Sequence, residues 1–217
     1  MQINNIINIL VGKIAVQSPH KMQEATAIYL KSLKAFCPFL SNDELSLFAT
    51  KLTFKELDKK DYFLEAGKIQ KAIGFITAGV VRSYYVDLDG NEITVGFYAE
   101  DDYATHYHAF ITRQPSQYFI QCLEPTTFAC LSFEDLQWIY GQSPQFERYG
   151  RLVAEEVLKR QQARIESFIF QTAEERYLDF IKNKKDLFNR VSLSQLCSFL
   201  GIERQTLTRI RQKLARK

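Results

Sequence analysis

The sequence predicts an α+β chain: N-terminal helices, an antiparallel β-roll, one long helix, and a C-terminal pair of short helices around a turn. Three observations carry this. Residues 54–133 hold β-branched and aromatic runs divided by turn residues. Residues 144–170 keep helical spacing without a break. Residues 191–214, VSLSQLCSFLGIERQTLTRIRQKL, read as two amphipathic helices about a single glycine.

At 217 residues and 46% hydrophobic content the chain suits one large or two modest domains with a proper core, and is neither disordered nor fibrous. Residues 1–21 are apolar in places but broken by Asn4, Asn5, Asn8 and Lys13, with no basic region before the apolar part. An arm or short helix is expected there, not a signal peptide or membrane span.

In residues 22–52, Ala27, Leu30, Leu33, Phe36, Leu40, Leu45, Phe48 and Leu52 recur at helical spacing. Pro38 interrupts them, and Ser41-x-x-Glu44 is a capping-box signature for a new helix. Strands are then expected at 75–77, 80–86, 93–98, 118–123 and 127–131, punctuated by Gly79, Asp89-Gly90 and Glu124-Pro125. They completе an effector-type segment expected over 22–143.

The helix predicted over 144–170 is about 40 Å long. Phe146, Tyr149, Val153 and Val157 form an apolar stripe, continued by Ile165, Phe168 and Ile169. A stripe on so long a helix suits pairing with a second copy; the alternative is that it packs on its own β-roll. Residues 171–217 complete the chain. There, Leu193, Leu196, Cys197, Leu200 and Ile202 give the first short helix a face to bury, and Leu207, Ile210 and Leu214 do so for the second. Gly201 is the residue that can turn sharply between them. Ser192 stands as N-cap of the first helix. Arg204, Gln205, Thr208, Arg209, Arg211 and Gln212 remain to face outward, donors suited to base edges and phosphates. An ordinary helical hairpin with a solvated basic face is the other reading.

Charge supports the first. Residues 1–150 hold 13 Lys and Arg against 17 Asp and Glu, a net −4, whereas residues 151–217 hold 15 against 8, a net +7. Cys37, Cys122, Cys130 and Cys197 stand apart in apolar runs with no CxxC pair, as buried thiols of a reducing cytoplasm do.

In its order of parts the chain resembles the Crp/Fnr family of bacterial transcription regulators from about residue 22 onward. The stretch GFITAGVVRSYYVDLDGNEITVGFYAEDDY (74–103) is similar to the family's β-roll core, and AEERYLDFI (173–181) to the helix that opens its DNA-binding domain. The resemblance implies a cyclic-nucleotide-binding-like roll, a long dimerisation helix, a helix-turn-helix, a homodimer on a palindromic double-stranded operator, and RNA polymerase as a candidate partner. It implies a cytoplasmic protein with no membrane association.

The effector cassette departs from the nucleotide-binding members. Tyr103-Ala104-Thr105-His106 stands where their Gly-Glu pair begins, and Pro115-Ser116-Gln117 where their phosphate-binding Arg should be. Only a shifted loop would let Arg113 supply that guanidinium. Tyr103, Thr105, His106, Arg113, Ser116 and Gln117 are the effector-pocket candidates, for an unidentified small molecule if for any. The alternative is a roll that still binds a cyclic nucleotide or another small anion and switches DNA affinity. Cys37 is alone in its region, against an iron–sulfur centre, and His106-x-His108 reads as pocket filling rather than as metal ligands. No cofactor is expected.

On the DNA side, Arg204, Gln205 and Arg209 match the family's base-reading positions. Gln205 replaces the common Glu, which alters the preferred sequence; Glu203 replaces a Ser or Thr N-cap and caps less well. The chain stops at Lys217 without the family's β-hairpin wing, so Arg211, Lys213, Arg216 and Lys217 are expected to take over its phosphate contacts. With Thr208 and Ser192 these form the expected DNA-facing set. No Ser/His/Asp or Cys/His set and no phosphate loop is present at motif spacing, so no enzymatic activity is expected.

Overall fold

A computed structural model describes residues 19–215. Residues 1–18, most of the 1–21 segment expected as an arm or short helix, and the terminal Arg216 and Lys217 lie outside the described residues.

Helix α1 (Pro19–Phe36) ends before Pro38, and α2 (Asn42–Ala49) starts on the expected capping box: Ser41 accepts from the Glu44 amide and Glu44 accepts from the Ser41 amide. The roll comprises β1 (Thr53–Leu57), β2 (Tyr62–Leu64), β3 (Ala72–Ala78), β4 (Val81–Val86), β5 (Glu92–Tyr98), β6 (Tyr103–Ala104), α3 (Tyr107–Thr112), β7 (Phe119–Cys122) and β8 (Thr126–Ser132). Then come α4 (Phe133–Tyr140), α5 (Pro144–Phe170), α6 (Ala173–Asn183), a 3-10 turn (Lys185–Leu187), α7 (Leu193–Leu200) and α8 (Arg204–Leu214).

The strands form two antiparallel four-stranded sheets, ordered β1-β8-β3-β6 and β2-β7-β4-β5. The five expected apolar runs became β3, β4, β5, β7 and β8. Strand β1 was not foreseen because its TFKEL sequence is polar and never fully buried; it is held by pairing with β8. At the β3–β4 turn Gly79 has φ +106°, and a Cβ there would meet the Thr126 hydroxyl at 2.5 Å.

Three apolar clusters hold the chain together. One fills the roll with Leu64, Ile76, Val81, Ile120, Cys122 and Phe128. A second packs α1, α2, α4 and the start of α5 against β3 and β8. Its members include Phe146 and Tyr149, 0% and 4% exposed. These two residues are therefore corrected: they fill their own protomer's core. Both aromatic rings pack on Phe48, and the Tyr149 hydroxyl meets that of Tyr29 at 3.2 Å. Val153 packs partly on the same core. The third cluster joins the roll to the C-terminal helices, through Val80 and Phe97 on one side and Tyr177, Phe180, Leu196, Leu200, Leu207 and Ile210 on the other. All four cysteines are buried and free, and burial pushes the Cys130 thiol up to about 12.

Candidate nucleic-acid interface and effector chamber

Helix α7 begins at Ser192, which caps it: its hydroxyl accepts from the Gln195 amide while the Gln195 side chain accepts from the Ser192 amide. Gly201 ends the helix at φ +66°, and the Ile202 amide donates back to the Cys197 carbonyl. Helix α8 then starts from Glu203, whose side chain makes no capping bond. Leu207 and Ile210 are 1% and 8% exposed against α7 and α6. Their burial fixes which face of α8 is free: Arg204, Gln205, Thr208, Arg209 and Gln212 are all exposed. Leu193, expected to be buried, is 40% exposed because the cap places it outside the packed face.

Of the further cations of the expected set, the two among the described residues, Arg211 and Lys213, are engaged within the domain. Arg211 is half-buried, donates to the Tyr177 hydroxyl at 3.0 Å, and lies on the Tyr177 and Phe188 rings. That commitment corrects its assignment to a phosphate: the aromatic faces hold the guanidinium by burying its planar surface. Lys213 is exposed and pairs with Glu174 at 2.5 Å.

The helix pair is docked on the roll by groups the sequence reading did not single out. The Ser198 hydroxyl accepts from the Thr94 amide at 2.9 Å and donates to the Glu92 carbonyl at 3.0 Å, so it satisfies the open edge of β5. Arg190 donates to both oxygens of Glu100, at 2.8 and 2.7 Å, and to Glu124 at 2.5 Å. Through this pair and the Gly79 amide, the Glu100 carboxyl is held down at about 2. No local pattern announces these contacts, which lie 66 to 106 positions apart.

Three of the six cassette candidates converge between the roll and α5. Tyr103, Thr105 and His106 line a chamber of about 230 Å³ together with Phe36, Phe75, Tyr98, Tyr107, Tyr118, Val153 and Val157. The Tyr103 hydroxyl meets those of Tyr29 and Tyr149 at 3.4 and 3.2 Å, and burial raises all three phenols, so they remain neutral. His106 Nδ1 lies 2.9 Å from the buried Ser116 hydroxyl, and burial beside His108 lowers its pKa. Gln117 is exposed and faces an outer cleft instead.

Arg113 does not reach the chamber. Its Nη1 donates to the Gln70 carbonyl at 2.7 Å, its Nη2 faces Glu134 at 3.4 Å, and it stacks on Phe133. These contacts correct the expectation that Arg113 could stand in for the phosphate partner: the residue, at φ +57° at the C-terminus of α3, is committed to groups that do not line the chamber. The guanidinium that lines the chamber is Arg160 of α5, already paired with Asp102 at 2.6 Å and Glu156 at 3.1 Å.

Residues 54–143 match the family described as "Cyclic nucleotide-binding domain". Over 168 residues the chain is 25% identical to Electron transport regulator A of Shewanella oneidensis and 26% identical to the fumarate and nitrate reduction regulatory protein of Yersinia pestis. Each match covers 72% of this chain and 66% of the relative. In fold, the chain is similar to the c-di-GMP responsive global regulator CLP of Xanthomonas campestris, with a TM-score of 0.61, 16% identity, and coverage of 81% of this chain and 92% of that one. Residues 54–143 therefore carry a domain of the cyclic nucleotide-binding type, and beyond it the chain is similar in sequence and fold to these regulators.

Proposed function

We propose that this protein binds DNA sequence-specifically as a homodimer, with its two α8 helices in successive major grooves of a palindromic site whose half-site centres lie roughly 34 Å apart. The observation that carries the reading is the exposed face of α8, where Arg204, Gln205, Thr208 and Arg209 project from a scaffold fixed by buried Leu207 and Ile210. Arg and Gln can make paired contacts with guanine and adenine edges. Ser192 and Lys213 supply backbone contacts in this arrangement.

The dimer face is the second half of α5. Leu158, Ile165 and Ile169 are 66%, 54% and 64% exposed, and their spacing of seven and four repeats a coiled-coil seam. The seam proposed here lies beyond Phe146 and Tyr149. Residues 22–143 act as a regulatory domain, 144–170 as the dimerisation helix and 171–217 as the DNA-binding domain of a cytoplasmic regulator, with RNA polymerase as a partner and no enzymatic activity. No helix of the described residues is long and apolar enough to cross a membrane.

The roll does not hold a cyclic nucleotide through the usual cassette, since buried Ser116 stands where the phosphate partner belongs and Arg113 is committed elsewhere. Selection of bound DNA from a random pool, with and without cyclic AMP, tests both claims. A palindrome enriched regardless of nucleotide is expected; enrichment only with cyclic AMP overturns the cassette reading, and no enrichment under either condition overturns the DNA reading.

A further inference from the structure

Helices α5 and α7 both end without a basic residue in the last turn, so the terminal carbonyls that carry each helix's negative end need donors from elsewhere. Two arginines supply them. Arg164, within α5, donates Nη2 to the Phe199 carbonyl of α7. Arg176, in α6, donates Nε to the Leu200 carbonyl of α7 at 3.0 Å, and Nη1 to the Gln171 and Ser167 carbonyls at the end of α5, at 2.7 and 3.5 Å. The Phe168 ring of α5 carries both guanidinium groups, Arg164 at 4.4 Å and Arg176 at 4.9 Å, and Arg164 also lies on Phe199 at 3.9 Å. Phe168 in turn reaches the α7–α8 turn, where a Cβ on Gly201 would stand 2.8 Å from its ring.

The chain by itself does not fix this arrangement. Gln171 and Thr172, the two residues that join α5 to α6, are extended, and such a joint leaves the angle between the helices to their contacts. The bonds from Arg164 and Arg176 to α7 span 35 and 24 positions. Burial and the neighbouring Arg176 cation lower Arg164 to about 10, so it stays protonated at neutral pH. Two like charges are tolerated side by side because two helix C-termini face them. Arg164 and Phe168 each immediately precede a residue of the dimer seam, Ile165 and Ile169. One turn of α5 therefore serves the second copy with one side and α7 with another.

We propose, on the dimeric DNA-binding reading above, that Arg164, Phe168 and Arg176 form a clamp that sets the angle between the dimerisation helix and the reading helix, and with it the one half-site spacing the dimer accepts. One base pair more or less displaces the half-sites by about 3.4 Å and turns them by about 35° round the DNA axis. About half of that falls to each protomer. A shift of about 1.7 Å carries the 2.7 and 3.0 Å bonds of Arg176 out of hydrogen-bonding range, so the clamp closes for one spacing only. All three act through α7 and α8 and are positioning residues.

The full chain is titrated with palindromes whose half-sites are brought one or two base pairs closer or farther apart, and with a single half-site. The parent is expected to prefer one spacing at least tenfold over its neighbours. Arg164→Gln combined with Arg176→Gln is expected to reduce that preference below threefold, with affinity for the single half-site within twofold of the parent. Phe168→Leu, which keeps an apolar contact at Gly201 and removes the ring under both cations, is expected to do the same. Arg176→Lys, which cannot bridge two helix ends, should fall between. Arg190→Gln, which loosens the roll instead, should keep the preference. A second measurement needs no DNA. Spin labels on Lys159→Cys in α5 and Gln212→Cys in α8, both exposed positions in a chain whose own cysteines are buried, are read with unlabelled chain in excess. They should give one narrow distance distribution in the parent and one at least twofold broader in the double variant. A parent indifferent to spacing, variants of Arg164, Arg176 and Phe168 that keep the parent's preference or distance width, or an equal loss in Arg190→Gln overturns the proposal. A parent that binds none of the palindromes overturns the DNA reading and the spacing claim together, while the label distances still decide whether the clamp exists.

Discussion

Replacing Arg190 by Gln removes its ion pairs with Glu100 and Glu124, which tie the C-terminal helices to the roll. Glu100 is held at about 2 against an ordinary 4.5, and the full conversion of that difference is about 3 kcal/mol. Two facts reduce it. Glu100 is 41% exposed, so solvent screens the pair, and its bond from the Gly79 amide, at 2.8 Å, survives the substitution. Loss of the Glu124 contact acts in the opposite direction. The expected destabilisation at pH 7 is about 1–2 kcal/mol. Its pH dependence has a definite sign. A carboxyl depressed in the folded state contributes fully above about pH 5, and the contribution fades toward pH 2 as the unfolded chain takes up its proton first. Urea unfolding of both proteins, followed by far-ultraviolet circular dichroism at pH 7 and pH 3, should show a gap that narrows on acidification. A gap that is constant or widens at pH 3 would refute the reasoning, and so would a variant as stable as the parent at pH 7.

Leu158→Lys combined with Ile165→Lys should convert a dimer to a folded monomer by light scattering, whereas Phe146→Ala should leave assembly intact and lower stability by about 3–5 kcal/mol in urea, because its ring is fully buried in the protomer. Arg209→Ala should weaken specific DNA binding by about 1–3 kcal/mol and relax preference at one base pair, while Lys213→Ala should lower affinity for every sequence and flatten its salt dependence, both read by footprinting. Gly201→Ala forces an L-residue to φ +66° with its Cβ 2.8 Å from the Phe168 ring. It should cost about 1–3 kcal/mol in thermal unfolding, and an unchanged midpoint would contradict the tight turn.

Much of the fold was legible in the chain because its signals are local. The Ser41 and Ser192 caps, the Gly201 turn, the five apolar strands and the 27-residue helix α5 each depend on residues a few positions apart. The exposed face of α8 was legible for the same reason, since its hydrophobic repeat leaves the opposite side to solvent. Short polar strands such as β1 were not, because only a partner strand makes them strands.

By itself, then, the sequence determined the order of parts and the exposed basic face of α8, both set by periodicity, capping and charge within single elements. Tertiary structure alone decided the rest. It showed that Phe146 and Tyr149 belong to the protomer's core, that Arg113 and Arg211 are committed to groups outside their expected sites, and that Arg190 and Ser198 dock the helix pair on the roll. An apolar or charged residue states in the sequence only that it seeks a partner; which partner it finds depends on elements brought together from distant parts of the chain.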